Sequence, residues 1–292
     1  MISEHDRQVL QRIPSWDPRG ALPSNAALGK TWRSPTIRIF RQLAASNIMS
    51  NCALACVPMS RFPTGRHPVV IYLHGGGWAF GSPVSFRKLG MQFAEAGYLT
   101  INLDYRLAPE HPFPAALEDA AFAIEWGKDN ARRWNGDGGR IAIGGDSAGA
   151  NLALSALTSG GPGLRSLVRA AALFYGAVDL TATAKRNQSI PGLQQQLSTY
   201  VGGVERLLDD PRVSPLRAVA SGKLPPCFII GAGDDSWCLA DSLTLAQALS
   251  AASNPYELHV MEGMPHGFMQ MSALDGCRAA QRLMWDFLAR NV

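Results

Sequence analysis

Ser147 lies in the pentapeptide Gly145-Asp146-Ser147-Ala148-Gly149, between the apolar run Ile141-Ala142-Ile143-Gly144 and the helix-like stretch Ala150 to Leu157. A serine hydroxyl attacks a carbonyl only when it is exposed, aligned with a base and set beside a helix N-terminus, and a sharp strand-to-helix turn supplies all three. Such a turn crowds the positions two before and two after the nucleophile, where Gly145 and Gly149 carry no β-carbon. Upstream, His74-Gly75-Gly76-Gly77-Trp78 follows the apolar run Val69 to Leu73. Three glycines let a backbone approach a ligand closely and turn its N–H groups inward. Gly75, Gly76 and Gly77, with Ala148 after the serine, are therefore the candidate donors to the oxygen of a tetrahedral intermediate.

A serine nucleophile needs a base. Of the six histidines, His5 is terminal, His67 precedes an apolar run and His259 falls inside one, whereas His74 opens the glycine turn and reads as a structural support for it. His266 sits in Gly263-Met264-Pro265-His266-Gly267-Phe268, directly after the last apolar run, where a loop can bring an imidazole to the serine. A carboxylate between the two in chain order should orient that imidazole. Asp179, Asp234 and Asp235 all follow apolar runs and compete for the role. Trp78, Phe80, Trp237, Met264 and Phe268 neighbour these groups in sequence and are candidates to line a substrate pocket.

The elements that must hold these residues alternate. Val69 to Leu73, Tyr98 to Leu103, Ile141 to Gly144, Ala171 to Tyr175, Cys227 to Ile230 and Tyr256 to Val260 read as short buried strands. Arg87 to Glu95, Pro114 to Trp126, Ala150 to Leu157, Leu239 to Ala251 and Gly276 to Ala289 read as helices between them. That order implies an α/β fold with a mostly parallel central sheet, helices on both faces and chemistry at the strands' C-terminal ends. Residues 1–34 and about 180–215 break the alternation. The second separates two strands by far more than the usual connection of about 2–6 residues, as lids and caps do.

Composition narrows the class. The chain has 292 residues, 47% hydrophobic and 17% charged, which suits one globular unit with a sizeable core. The formal net charge of +4 comes from scattered lysines and arginines, so neither nucleic acid nor an anionic membrane is an expected partner. No run of about 18 apolar residues occurs and the N-terminal residues lack the basic-then-apolar order of a secretory signal, so a cytoplasmic location is expected. Five cysteines, at 52, 56, 227, 238 and 277, leave at least one unpaired and show no metal-site spacing. They read as buried thiols of a reducing compartment, with no metal and no cofactor expected.

Taken together, His74 to Trp78, the run from Asp104-Tyr105-Arg106-Leu107-Ala108-Pro109-Glu110-His111-Pro112-Phe113-Pro114 on to Asp119, Gly145 to Leu152, Ser214-Pro215-Leu216 and Pro265-His266-Gly267-Phe268 make the chain resemble the hormone-sensitive-lipase-like bacterial esterases, in their Gly-Asp-Ser-Ala-Gly branch. The resemblance covers about residues 65 to 290. It implies an α/β-hydrolase core over 35–179 and 216–292, with a small helical cap from an N-terminal segment, 1–34, and an insertion, 180–215. It also implies an acid in a turn reading Asp-Pro-Leu, and counting from Pro225-Pro226 reaches Asp235, followed here by Ser236-Trp237 instead. Asp234 is the alternative, and Asp241 is expected to serve a helix N-terminus. The Tyr105 to Asp119 run is expected to be structural, with Arg106 tied to Glu110. The implied activity is hydrolysis of small, soluble, short- to medium-chain carboxylic esters through an acyl-enzyme by Ser147, His266 and Asp235, in a monomer or homodimer. A deacetylase uses the same three groups. A non-catalytic receptor on this fold would have lost the histidine that this chain keeps.

Overall fold

The computed structural model describes residues 2–11, 38–40, 53–57 and 65–292, with backbone alone for 38–40 and 53–57. Of the expected N-terminal cap segment, residues 12–34 lie outside the described residues, as does Cys52. In chain order the elements are α1 (Glu4–Gln11), β1 (Arg38–Phe40), β2 (Ala53–Val57), β3 (His67–Leu73), α2 (Arg87–Glu95), β4 (Leu99–Asp104), α3 (Ala115–Asn130), β5 (Gly136–Asp146), α4 (Ala148–Ser159), α5 (Gly161–Ser166), β6 (Val168–Phe174), α6 (Leu180–Arg186), α7 (Leu193–Tyr200), β7 (Cys227–Ala232), α8 (Leu239–Ala251), β8 (Tyr256–Met261) and α9 (Asp275–Asn291).

The strands form one sheet in the order β1-β2-β4-β3-β5-β6-β7-β8. From β4 to β8 every pairing is parallel, and β1 and β2 add an antiparallel edge beside β4. The central strands are continuous apolar runs because both their faces are covered: Val69 to Leu73, Ile141 to Ile143 and Cys227 to Ile230 are all buried. Helices α2 and α9 meet edge to face through Phe93 and Trp285, 4.9 Å between ring centroids, while α3 and α4 pack together elsewhere on the sheet. The edge strands β1 and β2 correspond to no run singled out in the sequence.

Register decides what lies beside what. Leu73 pairs with Gly145, so the residues leaving β3 and β5 emerge side by side. Ala232 pairs with Met261, which brings the loops after β7 and β8 together in the same way. Between β6 and β7, α6 and α7 and the 3-10 turn Glu205–Asp209 make up the long excursion. At the other end, Asp6 of α1 accepts the backbone N–H groups of Asp275 and Gly276, the latter at 3.0 Å, and so caps α9. No helix among the described residues is long and apolar enough to cross a membrane.

Candidate active site

Ser147 leaves β5 with φ 53° and ψ −117°, a conformation that a side chain rarely adopts, and α4 starts at the next residue. The strain is held from both sides. The Ser147 N–H donates to the Phe174 carbonyl at 2.9 Å, and Gly149 packs so tightly on the Leu73 carbonyl that a β-carbon there would overlap it. The serine hydroxyl is thereby lifted off the sheet, partly exposed, at the head of a helix.

His266 Nε2 is 2.9 Å from Ser147 Oγ, and His266 Nδ1 is 2.6 Å from Asp235 Oδ2. Because the carboxylate can only accept, Nδ1 carries the proton and Nε2 is left as the acceptor for the serine hydroxyl. Asp235 is buried, and its other oxygen accepts the N–H groups of Trp237 at 2.9 Å and Cys238 at 3.1 Å. Neither rival carboxylate is bonded to His266. Asp234 is exposed, and Asp179 caps α6 by accepting the Ala182 N–H at 3.0 Å.

The glycine turn lies against this assembly. The expectation for Gly75 needs correction: its N–H donates to Asp146 Oδ1 at 2.9 Å, so it cannot face a substrate oxygen. The N–H groups of Gly76, Gly77 and Ala148 donate to no acceptor among the described residues. Gly76 and Gly77 have φ of 124° and 57°, which aims successive amides away from the usual strand directions.

Beneath the turn lies a buried polar layer that spacing alone does not announce. Asp146 accepts from Tyr72 Oη at 2.5 Å as well as from Gly75, and burial pushes its carboxyl up to about 6 despite those donors. His74 donates from Nδ1 to the Gly75 carbonyl at 2.8 Å, its ring stacked on Tyr105 at 4.4 Å and Phe86 at 5.3 Å. Burial holds His74 down at about 4, so it is a neutral support near pH 7. Tyr105 Oη donates to the His74 carbonyl at 2.7 Å. Arg106 pairs with Asp119 and Glu118, each at about 3.0 Å, and not with the exposed Glu110 that the sequence suggested.

The pocket candidates separate. Trp78 is buried and stacked on Tyr200 of α7, 4.4 Å between centroids and 12° between planes. Phe80 is 65% exposed. Trp237 lies 5.6 Å from the His266 ring and Tyr175 lies 5.0 Å from it, between ring centroids. Phe268 is buried behind Tyr175, and Met264 is buried against Gly276 of α9; both support the histidine loop from the core.

Among the described residues, two groups of side chains have donor atoms close enough for an ion. Asp235, Cys238 and His266 converge within 4.8 Å, but two of these already bond each other. Burial first, then the charges of Asp235 and Asp241, hold the Cys238 thiol well above its usual range and make it a poor ligand. In the second group, His5, Asp6 and Asp275, Asp6 is spent on the α9 backbone and Asp275 on Arg278.

A family model described as the alpha/beta hydrolase fold matches residues 70–270. Among curated proteins, the esterase LipI of Mycobacterium tuberculosis is 33% identical over 69% of this chain and 66% of its own length. The carboxylesterase NlhH of the same organism is 34% identical over 70% of this chain and 67% of its own. The chain thus spans about two thirds of the length of these relatives. Among solved structures, an esterase of Pyrobaculum calidifontis superposes with a TM-score of 0.74 at 29% identity, covering 81% of this chain and 80% of that one.

Proposed function

Since the chain belongs to the alpha/beta-hydrolase family, in its hormone-sensitive-lipase-like group, we propose that it is a serine carboxylesterase acting on small esters with short to medium acyl chains. The observation that carries this reading is the line from Ser147 Oγ through His266 to Asp235, at 2.9 and 2.6 Å, beside amides without acceptors. Esterase names among the relatives support it.

In this mechanism His266 Nε2 takes the Ser147 proton as Oγ attacks the ester carbonyl. The carbonyl π pair moves onto oxygen, which accepts from Gly76, Gly77 and Ala148. Collapse expels the alkoxide, which takes the proton from His266 and leaves as alcohol. Water then attacks the acyl-enzyme by the same route, releasing the acid and restoring Ser147. Asp235 keeps the imidazole in the productive tautomer and stabilises its cation without being protonated. Residues 180–215, with α6 and α7, act as the cap that shapes the acyl and alcohol sites. Three free buried cysteines, Cys227, Cys238 and Cys277, support a reducing compartment such as the cytoplasm.

The test is a chain-length panel of p-nitrophenyl esters with the native protein and Ser147→Ala. Hydrolysis of the acetate to hexanoate members, lost in the alanine variant, is expected. Absence of turnover in the native protein, or full rate in the variant, refutes the reading.

A further inference from the structure

Helix α7 is fastened to the glycine turn. The Trp78 and Tyr200 rings stack at 4.4 Å, the Phe113 N–H donates to the Tyr200 carbonyl at 2.8 Å, and the Phe113 ring meets Tyr200 edge-on at 6.1 Å. One helical turn before Tyr200, Gln196 extends its side chain onto Gly77. A β-carbon at position 77 would fall on the Gln196 carboxamide, its nitrogen first. Glycine at 77 is therefore required twice, by its φ of 57° and by this neighbour.

Gln196 differs from the glutamines beside it. Gln194 donates to the Ala184 carbonyl at 2.9 Å, and Gln195 reaches Thr199 Oγ1 at 3.4 Å. The Gln196 carboxamide is half-buried and has no hydrogen-bond partner among the described residues. A carboxamide with no protein partner keeps both of its N–H groups available to a ligand. Its nitrogen lies where a β-carbon of Gly77 would sit, against the residue whose own amide, like that of Gly76 before it, lacks an acceptor. Neighbouring donors without an acceptor suit an oxygen that carries or gains negative charge.

The geometry points to Gln196 as a side-chain donor to the carbonyl oxygen of the bound ester, adding a contribution from α7 to the backbone amides of Gly76, Gly77 and Ala148. This rests on the esterase reading above. No proton is transferred: the Nε2–H bond to the oxygen strengthens as the carbonyl pair moves onto it and relaxes when the tetrahedral adduct collapses. Because the Trp78–Tyr200 stack fixes α7 to the turn, the donor is in position before the substrate binds, which is where such a donor is most effective.

The test compares Gln196→Met, which keeps length without donors, and Gln196→Glu, which sets an anionic acceptor at the same place, with Gln195→Met as control. The readouts are kcat and KM on p-nitrophenyl butyrate and the inhibition constant of an alkyl trifluoromethyl ketone, whose adduct with Ser147 bears the oxyanion. Expected for Gln196→Met is a fall in kcat of about tenfold to a hundredfold, KM within about threefold, and ketone affinity weakened in step with kcat/KM. Gln196→Glu should lose more, and Gln195→Met nothing. If Gln196→Met keeps kcat and ketone affinity within twofold, or loses kcat while ketone affinity stays native, Gln196 is not an oxyanion donor. Native protein that neither hydrolyses the ester nor forms the ketone adduct overturns the esterase reading itself, and this assignment with it.

Discussion

Asp235 holds His266 with one carboxylate oxygen, at 2.6 Å, and is itself held through the other by the Trp237 and Cys238 amides at 2.9 and 3.1 Å. Replacing the carboxylate by a carboxamide preserves shape but offers an N–H where the imidazole needs an acceptor, favouring the wrong tautomer. Asp235→Asn should therefore lower kcat by about 10⁴-fold with little effect on KM. Asp234→Asn, at an exposed site, and Asp179→Asn, at a helix cap, should each cost less than about tenfold. Steady-state kinetics on the three purified variants decides, and a larger loss at Asp179 or Asp234 removes Asp235 from the mechanism.

Trp237 stands where resembling esterases carry the leucine of Asp-Pro-Leu. Its ring and that of Tyr175 lie 5.6 and 5.0 Å from the His266 imidazole. In the proposed mechanism His266 becomes a cation in the transition state, and an aromatic ring that turns its face to a cation at this distance contributes about 0.5–1 kcal/mol. Trp237→Leu should then reduce kcat by about two- to fivefold while leaving KM near native, and Trp237→Phe should recover most of it. Unchanged kcat in the leucine variant would show that the indole only fills space.

Asp241 has a larger role than the helix-end position its sequence context suggests. Buried on α8, it accepts the N–H groups of Val178 and Asp179 at 3.0 and 3.1 Å and the Thr183 hydroxyl at 3.1 Å, and it pairs with Arg186. It thus ties α6 to the sheet. Removing one partner of such a buried network costs about 3–5 kcal/mol, the expected loss for Asp241→Ala in urea unfolding at neutral pH. A loss below about 1 kcal/mol would mean that solvent replaces these contacts at little cost.

What the chain reveals before folding follows physical range. Strands β3 to β8 and helices α2, α3, α4, α8 and α9 show in the sequence because each is a buried run or a helical apolar stripe. Strands β1 and β2, three and five residues long on an antiparallel edge, carry no such signal. Ser147 and His266 stand out because glycines and a proline bracket them. Partners fixed only by packing do not: Gly75 spends its amide on Asp146, 71 residues away, and Arg106 selects Asp119 and Glu118 over the nearer Glu110. Gln196 reaches Gly77 only because the Trp78–Tyr200 stack brings α7 there, and a run of three glutamines gives no hint of which one faces the site.

The layer under the glycine turn makes opposite demands on pH. Asp146 is raised from 3.8 to about 6 by burial, so the folded protein binds its proton more tightly than the unfolded chain does; that stability is full below pH 3.8 and is lost as pH rises through about 6. His74 is lowered from 6.5 to about 4 by burial, so its stability is full above pH 6.5 and is lost as pH falls through about 4. Each shift corresponds to about 3 kcal/mol, and between pH 4 and 6.5 the two nearly cancel. Asp146→Asn keeps an oxygen for Tyr72 and Gly75 but removes the ionisation, and should expose the His74 slope: unfolding free energy rising by about 3 kcal/mol from pH 4 to 6.5 relative to the native profile. His74→Asn should tilt the profile the other way, with stability falling over the same window. Urea unfolding at half-unit steps of pH measures both. Parallel profiles for the two variants and the native protein would show that neither group changes charge between the folded and unfolded states in this range.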